Sequence, residues 1–482
     1  MAEIMPHWLT KQATLSPNRP AIEMVDGSVI TFYELMQQSK ELAKKIANYG
    51  IEKGSHVGIL SNNNPTMIRL VHALSYLGAV AVLLNTRLTK EELNYQVNDA
   101  MIKTVISQDD LLEKANQLNV NQLIGFTALE RENPLNITLV TEINLDDPFT
   151  IIYTSGTTGF PKGVIHTYGN HWWSAIGSAL NLGLSEKDKW LAVLPFFHVG
   201  GLSIFFKSVI YGMPVYLVEK FHEQVVLDAI YHHGVTIASV VTVMVQRIMD
   251  VQGDRPFPSH FRCMLLGGGP APVPLLEKAT NRNIPVFQSF GMTETSSQIV
   301  TLSPKDAFRK IGSAGKALFP AQIRIDTGIP MEIGEIYVKG PMVTKGYYNN
   351  SEANEKSFQD GWLSTGDLGY LDEEGFLYVV DRRKDLIISG GENIYPSEIE
   401  SVLSAYDGIR EVGVTGKPDD YWGQVPIAFV VSDKHEVSEE AILGYAKKHL
   451  AKYKLPKEIH FVERLPRNAS NKLVRNQLLD LL

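Results

Sequence analysis

A loop rich in glycine and hydroxyl residues, placed directly after an apolar strand, limits what this chain can fold into more than any other stretch. Residues 153–163 read Tyr-Thr-Ser-Gly-Thr-Thr-Gly-Phe-Pro-Lys-Gly. The preceding pair Ile151-Ile152 reads as the end of a buried strand, so the loop leaves a sheet edge, where α/β proteins bind ligands. Gly156, Gly159 and Gly163 let the backbone take positive φ and turn its N–H groups inward. Thr154, Ser155, Thr157 and Thr158 add hydroxyls, and Lys162 adds charge. These groups can cradle phosphate. A Gly/Thr-rich surface turn would use the same residues, and the loop alone leaves both readings open.

A chain of 482 residues exceeds what one core organises, so two or three domains are expected. A net charge of -8 argues against a nucleic-acid partner. The single cysteine, Cys263, excludes an intrachain disulfide framework and reads as a buried structural thiol in a reducing compartment. The N-terminus lacks a basic and apolar leader, and the most apolar span, Gly201 to Val218, is interrupted by Lys207. The expectation is a cytoplasmic protein without membrane insertion.

Along the chain, Thr31-Phe-Tyr-Glu34 has the spacing of a capping box, and Leu35, Leu42, Ala43 and Ile46 share a helical face. His56–Leu60, a helix through Met67 and Ala73, and the strand 79–84 then suggest parallel βαβ units. The alternation returns at residues 190–194, 215–218, 237–241 and 263–266. From about Ile311 the texture changes to short strands, 333–340 and 375–380, between Gly, Asn and Asp turns. Asp381-Arg-Arg-Lys384 packs charges between apolar strands, a place for one domain to end and another to begin. The fold class expected is α/β: residues 1–380 as a large multi-subdomain unit of αβαβα layers with a small β subdomain at 311–380, a hinge at 381–385, and a smaller mobile α+β domain at 386–482.

Three further stretches combine glycine with polar groups, and a fourth is polar without glycine. Gly267-Gly268-Gly269 follows a strand, so its backbone can approach a flat ligand, although a plain strand-to-helix turn would look alike. Ser289-Phe290-Gly291-Met292-Thr293-Glu294 sets an aromatic ring beside a glycine, a hydroxyl and a carboxylate; these can stack on a base, bind phosphate and hold Mg²⁺. Ser364-Thr-Gly-Asp367 places a carboxylate on a tight turn, as ribose-binding sites do. Lys472 stands in a polar loop before a short apolar helix, where a solvated surface charge is the ordinary reading.

The order and content of these segments resemble the adenylate-forming superfamily of acyl-CoA synthetases, adenylation domains and luciferases, over nearly the whole chain. Thr154–Gly163 resembles its phosphate-binding signature, Phe290–Glu294 its aromatic-Gly-Met-Thr-Glu motif, Thr365–Asp367 its Thr-Gly-Asp, and Asp381–Gly391 its hinge motif. Asn471-Lys472 departs from the family's usual Gly-Lys. That departure, with 169–175, 265–276, 288–295 and 466–473, is similar to the bacterial o-succinylbenzoate-CoA ligases of menaquinone synthesis.

The resemblance implies an acid activated by ATP as acyl-AMP, with pyrophosphate release, and then transferred to coenzyme A. It implies that Lys472, His198 and Glu294 are catalytic, and that Glu294 and Thr154 take Mg²⁺. It places ATP or AMP on Thr154, Ser155, Gly156, Thr157, Thr158, Gly159, Lys162, Gly267, Gly268, Gly269, Ser289, Phe290, Gly291, Met292, Thr293, Asp367 and Arg382, with adenine between Phe290 and the glycine strip. His198, Gly200, Gly268 and Gly291 line the implied acyl pocket, Lys384 is the hinge residue, and Gly390 and Gly391 face the CoA channel. The partners expected are small molecules: ATP, an aromatic keto acid and CoA. A homo-oligomer stays open. Alternatives that keep the site are a ligase for another aromatic or medium-chain acid and an enzyme loading a carrier protein. A sensor without catalysis is a third. A P-loop NTPase fails because no Gly-x-x-x-x-Gly-Lys-Ser/Thr occurs at the opening loop.

Overall fold

The strands at Trp190–Ala192, Ile237–Val240 and Cys263–Leu266 send alternate residues to opposite sides of one sheet, and this alternation builds two cores. Trp190, Ala192, Ile237 and Cys263 enter one buried apolar cluster; Leu191, Ala238, Val240, Met264 and Leu266 enter another. The computed structural model describes residues 3–154, 161–268, 273–381, 385–394, 396–432, 437–466, 473 and 475–482. The chain divides into two compact units: Met1–Thr86, Val97–Ile152 and Gly163–Val380 form the first, and Arg87–Gln96, Tyr153–Lys162 and Asp381–Leu482 the second.

In the first unit a nine-stranded sheet runs in the order 316–317, 297–301, 286–292, 263–266, 237–240, 190–192, 215–217, 20–24, 29–31. Its middle pairs are parallel and its ends are closed by antiparallel hairpins. A six-stranded sheet has the order 162–167, 148–154, 80–84, 56–60, 104–107, 122–125. The first core lies between these two sheets and takes in the helices Phe32–Ile46, Pro65–Leu77 and Val199–Tyr211. The second lies on the other face of the larger sheet, under Glu223–His232 and Thr242–Gln252. The unit is α/β in layers, as the alternation implied.

Local signals hold where they were explicit. Thr31 caps the helix Phe32–Ile46 in a reciprocal box, its hydroxyl accepting from Glu34 N–H and the Glu34 carboxylate accepting from Thr31 N–H at 2.8 Å. Cys263 is buried, and burial pushes its thiol well above the ordinary range. No helix among the described residues is long and apolar enough to cross a membrane.

The stretch after Ile311 forms an antiparallel sheet in the order 322–325, 334–339, 362–371, 358–359, with Leu377–Asp381 paired to 362–371. The second unit has its own five-stranded sheet, in which Gly423–Ser432 pairs antiparallel with Ile409–Asp419 and parallel with Ile459–Phe461. Pro396 opens the helix Pro396–Ser404, where its missing N–H costs nothing. Within this unit Lys454 donates to Glu92 and Glu398 at 2.6 Å each, all three side chains being buried. Its residues 87–96 and 153–162 were expected to belong with the larger domain; contacts at long sequence separation, such as Lys454 with Glu92, are what group segments that local pattern cannot.

Gly315 shows how tightly the first unit is joined to its antiparallel sheet. Its φ is +105°, and a Cβ there would stand 2.1 Å from the Thr301 carbonyl carbon; its carbonyl accepts from Leu377 N–H at 2.8 Å. Gly315→Ala is therefore expected to destabilise the protein by about 3 kcal/mol, from backbone strain and overpacking. Urea denaturation checks this; an unchanged midpoint would contradict it.

Candidate functional site

The residues Ser289–Thr295 end the strand Val286–Met292 and make one 3-10 turn, Thr293–Thr295, before the chain returns as Ser297–Thr301. The reversal is tight. A Cβ on Gly291 would lie 2.2 Å from the Ser297 carbonyl oxygen and 2.7 Å from the Gln298 Cα, so only glycine fits. Ser296 and Ser297 both take positive φ, 57° and 127°; such conformations cost non-glycine residues about 1–3 kcal/mol each and persist only when the surroundings fix them. Side chains do so. Met292 N–H donates to Thr295 Oγ1 at 2.9 Å, Ser174 Oγ donates to the Ser296 carbonyl at 3.0 Å, and Ser296 Oγ donates to the Met342 carbonyl at 2.9 Å.

The turn also hangs from a buried histidine. His166 Nε2 lies 2.7 Å from the Thr293 carbonyl oxygen and must donate to it. His166 Nδ1 is then the acceptor, from Thr150 Oγ1 at 3.2 Å, and Thr150 Oγ1 accepts in turn from His171 Nε2 at 2.9 Å. Burial pulls His166 down to about 4 and His171 well below the ordinary histidine value, so both rings are neutral near pH 7.

The Glu294 carboxylate is buried and accepts from Tyr347 Oη at 2.9 Å, while its carbonyl accepts from Thr344 N–H at 2.8 Å. Mg²⁺ takes oxygen ligands, retains water and phosphate in its shell, and needs only one or two protein carboxylates. Glu294 supplies one, and among the described residues no group of three His, Cys, Asp or Glu could hold a metal by itself. This donor set fits an ion carried by a nucleotide.

Gly267 and Gly268 follow the strand Cys263–Leu266, whose neighbour is Val286–Met292, so they stand at the same sheet end as Ser289. Ser289 Oγ donates to the Leu266 carbonyl at 3.0 Å and would lie 3.2 Å from a Cβ on Gly267; Gly268 has φ +85°. The Phe290 ring is a member of the buried cluster formed with Ile299, Val300 and Ile336. Alternation explains this, since Phe290 points to the face opposite Ser289. At this strand end Gly267, Gly268 and Ser289 are each at least partly exposed.

Thr365–Asp367 is corrected. It is no tight turn but a bulge inside the strand Trp362–Leu371, falling between the pairs Tyr337↔Ser364 and Glu335↔Leu368. Gly366 takes φ +72° and donates to Glu335 Oε1 at 3.0 Å, and Thr365 Oγ1 donates to the Ile336 carbonyl at 2.7 Å. The Asp367 side chain is buried.

His198 caps the helix Val199–Tyr211, its carbonyl accepting from Leu202 N–H at 3.0 Å and its ring 4.8 Å from that of Phe197. The glycine that the turn requires is Gly201 rather than Gly200. A Cβ on Gly201 would lie 2.3 Å from the Pro195 carbonyl oxygen, whereas one on Gly200 would meet only Leu194 at 3.6 Å. Asn63 clamps the same loop, donating to the Leu194 carbonyl and accepting from Phe196 N–H, both at 2.9 Å.

Thr154 ends the strand Pro148–Thr154 and Lys162 opens the neighbouring strand Lys162–Thr167, so the glycine-rich segment joins adjacent strands. In the second unit Gly390 and Gly391 make the two-residue turn of the hairpin Ile387–Ser389/Glu392–Ile394, both with positive φ, and a Cβ on Gly390 would lie 2.7 Å from Trp422. Ser155, Gly156, Thr157, Thr158, Gly159, Gly269, Arg382, Lys384 and Lys472 lie outside the described residues.

His166, Tyr347 and Asn63 were not anticipated. A lone histidine in the apolar run Gly163-Val-Ile-His-Thr167 was the available signal for the first; the other two act on partners more than fifty residues away and leave no local trace.

Comparison with known proteins agrees over the whole chain. A family model for AMP-binding enzyme matches residues 9–348, and one for AMP-binding enzyme C-terminal domain matches residues 398–472. The 2-succinylbenzoate--CoA ligase of Oceanobacillus iheyensis is 59% identical, covering 99% of this chain and 100% of that protein. The o-succinylbenzoate CoA synthetase (MenE) of Bacillus subtilis, solved as a double mutant bound with its product analogue OSB-NCoA, is 49% identical with a TM-score of 0.95, covering 99% of this chain and 98% of that one. The same enzyme in complex with the acyl-adenylate intermediate OSB-AMP matches with a TM-score of 0.77 over the same shares.

Two outcomes are expected. Tyr347→Phe leaves the Glu294 carboxylate one donor short while buried, so stability falls by about 1–3 kcal/mol and KM for Mg-ATP rises several-fold, read by denaturation and steady-state kinetics; wild-type values in both would contradict it. For His166, the folded value near 4 lies below the ordinary 6.5. Above pH 6.5 neither state binds the proton; as pH falls from there the unfolded chain binds it and the folded chain does not, so stability declines until about pH 4. The loss is about 3 kcal/mol. Urea midpoints at pH 7 and pH 5 test this, and equal midpoints would contradict it.

Proposed function

We propose, from the premise that this chain belongs to the AMP-binding enzyme family, that it is an AMP-forming acid–thiol ligase that converts 2-succinylbenzoate to its CoA thioester for menaquinone biosynthesis. The observation that carries the reading is full-length identity to the Oceanobacillus ligase, which extends through both compact units.

The reaction has two halves. A carboxylate oxygen of the acid attacks the α-phosphorus of ATP, the bond to pyrophosphate breaks, and acyl-AMP forms. The sulfur of CoA then attacks the acyl carbon, the bond to AMP breaks, and the thiol proton is lost. In such phosphoryl chemistry the protein's work is positioning and charge stabilisation. The strand-end surface at Gly267, Gly268 and Ser289 receives the adenine, Asp367 accepts from ribose hydroxyls, and the loop from Thr154 to Gly159 with Lys162 holds the departing pyrophosphate. Bound Mg²⁺ offsets triphosphate charge, and Glu294 would hold it. His198, at a helix start, orients the acid. Lys472 donates to the oxygens on which charge builds during adenylation, and the C-terminal domain 386–482 turns about Lys384 between the halves, bringing Gly390 and Gly391 to the thiol. We place the enzyme in the cytoplasm, which a substrate set of ATP and CoA and a single buried thiol support.

Two measurements test this. Acid-dependent pyrophosphate release and thioester formation should be strong with 2-succinylbenzoate and weak with benzoate, succinate and hexanoate; preference for hexanoate would remove the substrate assignment while leaving the family. Lys472→Ala should slow acyl-AMP formation at least about 100-fold, the scale of a lost charge-stabilising donor, while sparing thioester formation from supplied acyl-AMP. Equal loss in both single-turnover halves would remove that role.

A further inference from the structure

The strand Gly334–Lys339 pairs antiparallel with the strand Trp362–Leu371, and the pairing slips at one place: Thr365, Gly366 and Asp367 stand opposite the single residue Ile336. A bulge of this kind leaves backbone groups that the ladder cannot satisfy. Side chains take them up. Thr365 Oγ1 donates to the Ile336 carbonyl at 2.7 Å and accepts from Asp367 N–H at 3.1 Å. Gly366 N–H donates to Glu335 Oε1 at 3.0 Å, and Ser364 Oγ donates to the same oxygen. The other carboxylate oxygen of Glu335 accepts from Tyr337 Oη at 3.3 Å, and the Arg324 guanidinium lies 5.1 Å from the Tyr337 ring centre.

Glu335 lies on the half-exposed face of its strand, with Tyr337 and Lys339, while Gly334, Ile336 and Val338 are buried. Any polar side chain suits that face of an antiparallel sheet, and the residue opposite Glu335 in the ladder is Leu368. The carboxylate reaches instead to the bulge. What it grips there is the joint with the most freedom to move: Gly366, at φ +72°, has no side chain to restrict it. Gly366 immediately precedes Asp367, whose side chain is buried. A glycine left without an anchor at that point would let the Asp367 carboxylate swing. A charged acceptor on the neighbouring strand prevents this, because hydrogen bonds to ionised groups are about twice as strong as those between neutral ones.

We propose that Glu335 is a positioning residue for nucleotide recognition: by holding Gly366 N–H and Ser364 Oγ it fixes the bulge from which Asp367 presents its carboxylate to the ribose hydroxyls. The inference rests on the ribose role given to Asp367 above. Glu335 acts through the backbone of the bulge rather than on substrate, so a nucleotide that lacks the hydroxyls gains nothing from it. A residue that merely stabilises the sheet would be missed by every nucleotide alike.

The test compares ATP with 2′,3′-dideoxy-ATP, the same nucleotide without ribose hydroxyls, by acid-dependent pyrophosphate release. Wild type is expected to show a KM for the dideoxy nucleotide at least about tenfold above that for ATP. Glu335→Ala is expected to raise KM for ATP about tenfold, the scale of a weakened charge-assisted hydrogen bond. In that variant KM for dideoxy-ATP and for the acid should stay within about twofold of wild type. A similar rise with both nucleotides, or none with either, would make Glu335 an ordinary residue of the sheet and overturn the assignment. If Glu335→Ala does not fold, Ser364→Ala, which removes one of the two donors, decides. It is expected to raise KM for ATP at least about threefold and to spare dideoxy-ATP; a rise shared by both nucleotides, or absent from both, overturns the assignment. A wild type that uses ATP and dideoxy-ATP with equal KM refutes the ribose role of Asp367 itself.

Discussion

The hydrogen bond from the neutral His166 imidazole to the Thr293 carbonyl fixes the segment on which the rest of the site depends. Thr293 lies between the end of the strand Val286–Met292 and the carboxylate of Glu294, and the chain must reverse there within a few residues. A reversal this short leaves Ser296 and Ser297 in conformations that side-chain-bearing residues avoid. It is held because bonds from Ser174 and His166 reach it from other elements while Thr295 closes it from within, and bonds shielded from water are costly to break. Neutrality is the condition. A protonated His166 would lose Nδ1 as an acceptor for Thr150 and would place an uncompensated charge in the core.

From this turn the chemistry spreads outward. On one side Tyr347 holds the buried Glu294 carboxylate. On the other, Gln298 and Ser297 accept from the buried Lys207. The strained serines between them are where the fold keeps positions that packing alone would relax. Beside them, Gly291 and Gly315 are glycine because backbone, not side chain, occupies the space a Cβ would need.

Much of this was legible in the sequence where a local rule applied. The capping box at Thr31 and Glu34, the strand Cys263–Leu266, the Pro396 helix start and the change of texture after Ile311 all follow from spacing or turn chemistry. The ordered motifs gave the family. What local pattern misjudged was orientation. Thr365–Asp367 became a bulge in a continuous strand where a tight turn was expected, because the partner strand 334–339 that decides it is not adjacent in sequence. Lys207 was visible as the one charge interrupting an apolar stretch, yet its partners lie about ninety residues on. His166 meets Thr293 across a longer interval still. Local periodicity carries no information about such pairs.

Because the site is organised on a neutral, Nε2-protonated His166, the most direct measurement is nitrogen NMR of the histidine side chains, with His166 assigned by the His166→Gln variant. The account predicts that the His166 ring stays neutral, with its proton on Nε2, from pH 8 down to pH 5.5. A ring that titrates near its ordinary value, or that carries the proton on Nδ1, would contradict it.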